Sequence, residues 1–245
     1  MRTVPACPDA WREAVHWNHQ AADEEHAQRA GQVLTEYRTS AGARLVELLA
    51  DAEVRMRMWE NDLERWLDEG VFRTLHGGGE TSGLDDLITR TEVEASVLGV
   101  PAGTLDDGRP RYGYAQGSDE ADRQINHYGK ILVRFREHVH NDATVVLGDS
   151  IGSTRSAGWC CMAPERLRAP ELLCRFSPRD VVQADTLSEA CDPDYRYAEV
   201  QIYGPLSPDS IREVVFCNGV IATRDLRNLL DDWGVLFYEI DDYPA

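Results

Sequence analysis

The pattern of apolar and polar positions changes near residue 70 of the chain. Before that point, apolar residues from Leu45 to Leu67 recur at steps of three and four over residues 43–69, which is the stripe of an amphipathic helix. Residues 9–40 also have a helical pattern, and Gly70 follows as a helix stop. We therefore predict an N-terminal helical hairpin that occupies residues 1–69.

After residue 70, short apolar or alternating runs indicate strands. They cover residues 130–136, 143–150, 197–204, 213–222 and 234–240. Helices are predicted over residues 84–98 and 224–234, and turns over the glycine-rich stretch 70–83 and over 99–114. We predict irregular, partly helical structure for residues 152–192. This order predicts an α+β domain over residues 70–245 with a split or mixed sheet.

The strand predicted over residues 197–204 carries polar and aromatic residues on one face. These are Tyr197, Glu199, Gln201 and Tyr203, and they alternate with apolar residues. A carboxylate, an amide and two rings would suit a sugar or a nucleotide. A half-buried strand with a solvated outer face has the same pattern, so both interpretations stand.

Three arginines lie in or beside the predicted turns, namely Arg73, Arg109 and Arg111. The planar guanidinium binds phosphate oxygens, so each arginine is a candidate phosphate ligand. Surface ion pairs are the alternative in a chain with 43 acidic residues. The strand "VVLGDSIGS" ends on Asp149 and Ser150, which could meet a ligand or form an ordinary turn.

Four side chains could face the same way on the first predicted helix: His16, His19, Asp23 and His26. This spacing could ligate zinc. However, no supporting Cys or H-E-x-x-H signature accompanies it, and the six cysteines form no C-x-x-C pair. We therefore interpret these histidines as packing residues and predict no metal site.

Charge and hydropathy limit the partners that we expect. The formal net charge of −18 argues against general nucleic-acid binding and against an anionic membrane surface. No run of about 18 apolar residues predicts a membrane span. The N-terminal residues lack the apolar segment of a secretory signal, so we expect a cytoplasmic protein, with delivery as an effector left open.

Four stretches in this order resemble an uncharacterised bacterial family. They are "GVFRTLHGGGETSG", "GRPRYGY", "KILVRFREHV" with "ATVVLGDS", and "YAEVQIYGPL", which together span residues 70–216. That family is similar to the ADP-ribosyltransferase fold, in the Arg-Ser-Glu class typified by cholera-toxin-like enzymes. The resemblance implies a toxin-like mono-ADP-ribosyltransferase that uses NAD as substrate and transfers ADP-ribose to an unknown protein or small-molecule acceptor.

The resemblance also implies roles for individual residues. Glu199 matches the catalytic carboxylate, with Gln201 as its supporting hydrogen-bonder, and Arg73 matches the phosphate-binding arginine, with Arg111 as a competing candidate. Ser150 alone survives from the Ser-Thr-Ser pattern of that class. The predicted NAD site is completed by His76, Arg109, Tyr112, Gly113 and Tyr197.

Tyr197 stands where the class often has Glu or Gln, so the acceptor stays open. Water as acceptor would make the protein an NAD glycohydrolase. Two further hypotheses remain. One is a catalytically silent binding or scaffold protein of the same fold that docks through residues 9–69, and the other is a metal-dependent hydrolase built on the histidines of the first helix.

Overall fold

A computed structural model describes residues 42–78, 87–96, 100–116, 119–151, 158–161, 171–172, 183–192 and 194–243 of the 245-residue chain. The described elements are α1 (Gly42–Ala50), β1 (Glu53–Met58), α2 (Glu60–Glu69), α3 (Leu87–Ser96), β2 (Arg111–Gln116), α4 (Asp119–Gln124), β3 (Ile131–Phe135), β4 (Ala143–Leu147), β5 (Gly158–Cys161), β6 (Glu171–Leu172), α5 (Leu187–Ala190), β7 (Ala198–Ile202), β8 (Ile211–Cys217), α6 (Arg224–Asp232) and β9 (Leu236–Ile240). This composition confirms the α+β class. The helix predicted over residues 9–40 and the four candidate metal ligands lie outside the described residues.

The strands form one mixed sheet in the order β4-β7-β2-β1-β3-β8-β9. Neighbouring strands are antiparallel from β4 to β8, whereas β8 and β9 are parallel. The short strands β5 and β6 extend the sheet beyond β4. In this order β7, which carries Glu199, lies between β4 and β2.

One face of the sheet, which we call the covered face, packs against helices α1, α2 and α6. The apolar side chains of the alternating strands point to this face, for example Val54, Met56 and Met58 of β1 and Val200 of β7. Trp66 of α2 is fully buried there and donates from Nε1 to the Leu206 carbonyl oxygen at 2.9 Å. Burial of these apolar side chains is the main term that stabilises the described core.

The other face, which we call the open face, carries the polar members of the same alternation. Arg55 of β1 donates to Asp122 Oδ2 of α4 at 2.8 Å, and Asp122 also accepts hydrogen bonds from the hydroxyls of Tyr114 and Tyr243. Asp122 is buried, so these donors compensate for the lost hydration of its carboxylate. Helix α4 is therefore fixed over one part of the open face, and the remainder borders a cavity.

The helix predicted over residues 43–69 is wrong in its middle. Helices α1 and α2 lie at its two ends, but residues 53–58 form strand β1, which pairs with both β2 and β3. The sequence "EVRMRM" alternates with period two, whereas the spacing of Ala52, Met56 and Trp59 also satisfies steps of three and four. Strand β1 therefore belongs to the same sheet as the strands that follow residue 70.

The turn predicted over residues 99–114 also needs correction, because residues 111–116 form strand β2 between β1 and β7. Gly113 and the preceding Pro110 led to the prediction of a turn, because both residue types are typical of turns. Gly113 has a direct reason to be glycine there, since a Cβ atom would lie 2.4 Å from the carbonyl oxygen of Arg55. Helices α3 and α6 and strands β3, β4, β7, β8 and β9 confirm the other predicted helices and strands. Strands β5 and β6 lie within residues 152–192, where no strand is predicted.

Candidate functional site

A cavity of about 570 Å³ lies over the open face of the sheet. Its floor comes from strands β1, β2 and β7, which contribute residues such as Arg57, Tyr112 and Glu199. Its walls come from α3, from the segment around His76, and from the turns that follow β4 and precede β7. The volume is suited to a small molecule of nucleotide size.

Glu199 is the carboxylate at the centre of β7, paired opposite Tyr114 of β2 and Val146 of β4. Its side chain lines the cavity, and the residue is only 6% exposed. Oε1 accepts a hydrogen bond from Gln201 Nε2 at 2.7 Å, and Oε2 accepts one from the Ser150 backbone N–H at 3.4 Å. The carboxylate is therefore held in one orientation on the cavity floor.

The pKa of Glu199 is raised from 4.5 to about 7, mainly by burial and next by the negative charge of Asp149. The positive charge of Arg90 and the hydrogen bonds from Ser150 and Gln201 oppose this rise. A carboxyl group that titrates near neutral pH can act as an acid, a base or a charge stabiliser. Such perturbed groups cluster at functional sites.

Gln201 orients Glu199 from below the cavity. Its amide oxygen accepts a hydrogen bond from Thr144 Oγ1 at 3.0 Å, so the amide nitrogen must point at Glu199. Gln201 is fully buried and does not line the cavity. The structure thus brings the two predicted catalytic residues together, with Glu199 facing the cavity and Gln201 behind it.

The end of β4 reaches the same site. Asp149 Oδ2 accepts a hydrogen bond from the Tyr197 hydroxyl at 2.5 Å, and both residues line the cavity. Ser150 lies behind them, buried, and its Oγ has no hydrogen-bond partner among the described residues. A buried hydroxyl in this state is able to donate to a ligand or to water.

The predicted phosphate ligands Arg73 and Arg111 both line the cavity, but they differ in their present partners. The Arg73 side chain is 42% exposed and donates from Nε to Glu69 at 3.1 Å. Arg111 is fully buried, and its guanidinium donates to Asp106 and to the carbonyl oxygens of Phe72 and Arg109. Arg111 therefore ties the loop before β2 to the segment after α2.

Arg109 does not line the cavity. Its buried guanidinium forms an ion pair with Glu94 of α3 and donates to the carbonyl oxygens of Ala102 and Thr104. All three nitrogens are thus used to hold the loop against α3. In this arrangement Arg109 contributes to the cavity wall through Glu94, rather than through a free guanidinium.

His76, Tyr112 and Glu94 form a cluster at one wall of the cavity. The Tyr112 hydroxyl donates to Glu94 at 3.1 Å, and the Arg90 guanidinium lies 4.2 Å from the centre of the Tyr112 ring. Burial and the nearby charge of Arg109 lower the pKa of His76, so its contact with Glu94 at 3.7 Å is not that of a charged pair at neutral pH. Tyr112 and Gly113 both line the cavity.

Arg57 is the main residue that the sequence interpretation missed. It lies on β1, lines the cavity and is only 7% exposed. Nη1 donates to Cys217 Sγ at 3.3 Å, whereas Nε and Nη2 have no hydrogen-bond partner within the described part of the chain. The period-two pattern of "EVRMRM" would have placed Arg55 and Arg57 on one face of a strand, opposite its apolar residues.

A buried guanidinium without a carboxylate or carbonyl partner on two of its nitrogens is costly unless a ligand supplies the partner. Arg57 therefore has the chemistry of an anion-binding residue. Its guanidinium also lies 5.1 Å from the centre of the Tyr243 ring, which limits the positions that it can adopt.

Within the described residues, no helix is long and apolar enough to cross a membrane. Comparison of the sequence with known proteins finds no matching family model, and no curated protein matches it either.

Proposed function

We propose that this protein binds NAD and cleaves the nicotinamide–ribose bond, as a mono-ADP-ribosyltransferase does. The observation that carries the proposal is the setting of Glu199: a buried carboxylate, hydrogen-bonded on both oxygens, on the floor of a cavity lined by tyrosines and arginines. This combination of an oriented charge, flat rings and guanidinium groups suits a dinucleotide.

The chemistry requires stabilisation of positive charge on the ribose. When the bond to nicotinamide breaks, C1′ of the sugar acquires oxocarbenium character, and a carboxylate beside it lowers the energy of that state. Glu199 must be ionised for this role. A cationic pyridinium ring in the cavity would favour the ionised form and so lower the pKa of Glu199 from its value of about 7.

NAD would be bound by the arginine and tyrosine side chains that line the cavity. Arg57 is the preferred partner of the pyrophosphate, because two of its buried nitrogens need acceptors that the described residues do not supply. Arg73 and Arg111 would join it only by giving up contacts that they already make. The rings of Tyr112 and Tyr197 would pack against nicotinamide or ribose.

The order of these groups along the chain supports an ADP-ribosyltransferase type of fold. Arg57 lies on β1, the first described strand. Ser150 follows β4, Glu199 lies on β7, and β4 and β7 are neighbours in the sheet. We propose a helix over residues 9–40, a cytoplasmic location and the absence of membrane or general nucleic-acid partners as parts of the same hypothesis.

Water is the second candidate acceptor, which would make the protein an NAD glycohydrolase. One observation favours it: the position two residues before Glu199 holds Tyr197, whose hydroxyl is already bonded to Asp149. Glu199 is therefore the one carboxylate on β7, and no second carboxylate on this strand can contact an acceptor substrate.

The test measures nicotinamide released from NAD by the wild-type protein and by Glu199→Gln. We expect the substitution to lower the rate by about 100-fold or more, as loss of a charge-stabilising group typically does. Glu64→Gln, on the exposed side of α2, is the matched control and should leave the rate unchanged. A wild-type protein that neither releases nicotinamide nor binds NAD in calorimetry would refute the proposal and favour a silent binding protein.

A further inference from the structure

Asp149 is a carboxylate that lines the cavity together with Glu199, and the sheet fixes its position. The Gly148 backbone N–H donates to the Tyr197 carbonyl oxygen at 2.9 Å, and the Glu199 N–H donates to the Gly148 carbonyl oxygen at 3.1 Å. Gly148 has φ of 116°, a conformation that favours glycine. The chain therefore turns there and delivers Asp149 to the cavity beside β7.

The contacts of Asp149 hold its side chain in place. Oδ2 accepts from the Tyr197 hydroxyl at 2.5 Å, and Oδ1 accepts from the Ile151 backbone N–H at 2.8 Å. The residue is 8% exposed and lines the cavity together with Glu199. The two carboxylates are bonded to different donors, since Glu199 is held by Gln201 and by the Ser150 N–H.

Two carboxylates with separate partners can perform separate tasks. The pKa of Glu199 is raised, and the charge of Asp149 is the second cause of this rise after burial. The backbone N–H that binds Glu199 Oε2 belongs to Ser150, the residue that follows Asp149. Both carboxylates line the cavity, so they can face different parts of one ligand. One group can then face the sugar while the other faces the incoming nucleophile.

We propose that Asp149 is the general base that accepts the proton of the attacking nucleophile, and that Tyr197 orients Asp149 for this task. The inference rests on the proposed function. In the step, the bond between C1′ and the nicotinamide nitrogen breaks and its electron pair leaves with neutral nicotinamide. The nucleophile oxygen or nitrogen bonds to C1′, and its proton passes to Asp149.

The charge around this position also restricts the acceptor. Arginines also line the cavity, but the negative charge of Asp149 acts on Glu199, so a carboxylate acceptor placed between these two groups would meet like charges. A neutral nucleophile that must lose a proton, such as water or an alcohol, fits this setting and needs the base. The predicted acceptor class is therefore a hydroxyl or another neutral X–H group.

The test compares wild type, Asp149→Ala and the control Asp231→Ala, which removes an exposed carboxylate at the end of α6. Nicotinamide release is measured with and without added sodium azide, and the sugar product is identified by mass spectrometry. We expect Asp149→Ala to lower kcat by about 100-fold or more, the usual contribution of a general base, while the KM for NAD changes by about threefold or less.

Azide attacks carbon without giving up a proton, so it bypasses a missing base. We expect it to raise the rate of Asp149→Ala by about tenfold or more, with formation of the ADP-ribosyl azide, and to leave wild type and the control unchanged. A purely structural role of Asp149 would not produce this rescue.

Two outcomes would overturn the inference alone: an Asp149→Ala rate within about twofold of wild type, or a lost rate that azide does not restore in a folded, NAD-binding variant. Absence of both NAD binding and turnover in wild type would overturn the proposed function and this inference with it. Thermal unfolding and Asp149→Asn, which keeps the side-chain shape, separate a folding defect from a chemical one.

Discussion

The two faces of the sheet are built from the same strands but meet different requirements. On the covered face, alternate residues such as Met56 and Val200 pack against helices and need only the right volume. On the open face, their neighbours Arg57 and Glu199 are almost as deeply buried, yet each carries a polar group that needs a partner. Burial alone therefore does not distinguish the core of this protein from its site.

What distinguishes the faces is how completely the polar groups are satisfied. The Arg55–Asp122 ion pair also forms hydrogen bonds with the hydroxyls of Tyr114 and Tyr243, and it fixes helix α4. Arg57, two residues further along the strand, has two nitrogens without such partners among the described residues. A polar network that is complete serves structure, whereas an incomplete one in a cavity points to a ligand.

The largest expected effect lies on the covered face. Trp66→Ala should lower the free energy of unfolding by about 3–5 kcal/mol. The substitution removes a fully buried ring that packs edge-on against Phe72, with 5.2 Å between the ring centres. It also removes the hydrogen-bond donor of the Leu206 carbonyl oxygen. Urea unfolding followed by fluorescence or circular dichroism measures it. Trp59→Ala, at a residue that is 44% exposed, should cost about 1 kcal/mol or less, and equal costs at the two sites would contradict the assignment of the core.

The next effect concerns the cost of burying Glu199. Its pKa in the folded protein is about 7, above the ordinary value of 4.5, so the folded state binds the proton more tightly than the unfolded state does. The raised pKa of Glu199 therefore does not lower the free energy of unfolding below about pH 4.5, but lowers it progressively as the pH rises to about 7. The full cost above that pH is roughly 3 kcal/mol.

Urea unfolding of wild type and Glu199→Gln at several pH values checks this expectation. The variant should gain stability relative to wild type by roughly 3 kcal/mol between pH 4 and pH 8, because glutamine does not ionise. A stability difference that stays constant across this range would show that the carboxylate keeps its ordinary titration, and the contrast between the two faces would then lose its electrostatic basis.

The smallest expected effect on stability is that of Arg57→Met. Removing a buried charge with incomplete partners should leave the free energy of unfolding unchanged or raise it by about 1 kcal/mol. The same variant should bind ADP-ribose about 10- to 100-fold more weakly, as expected when a charged hydrogen-bond donor is lost. Calorimetry with ADP-ribose measures the affinity, and Arg212→Met, on the partly exposed outer part of the open face, is the control.

A large loss of stability in Arg57→Met with unchanged affinity for ADP-ribose would reverse the interpretation, since the arginine would then serve the fold and not a ligand. The covered and open faces would in that case differ only in residue type. The result expected here instead assigns stability mainly to one face and binding mainly to the other.

The sequence pattern was most reliable where alternation was unbroken. In β7 it placed Glu199 and Gln201 on one face and Val200 on the other, and the structure confirms this division. It failed in β1 and β2 for local reasons. The residues of β1 fit both periods, and the sequence Pro-Arg-Tyr-Gly at the start of β2, which includes the preceding Pro110, has the composition of a turn. Both errors concern strands at the centre of the sheet, where tertiary pairing outweighs local preference.

The sequence by itself determined the class of fold and the face on which each side chain of a correctly identified strand lies, because a strand alternates whatever its neighbours are. Only the tertiary structure decided which strands are neighbours. That choice brings Asp149 to Tyr197, 48 residues away along the chain, and places Arg57 in the same cavity. Charge, burial and hydrogen bonding at the site depend on these pairings, and no local pattern encodes them.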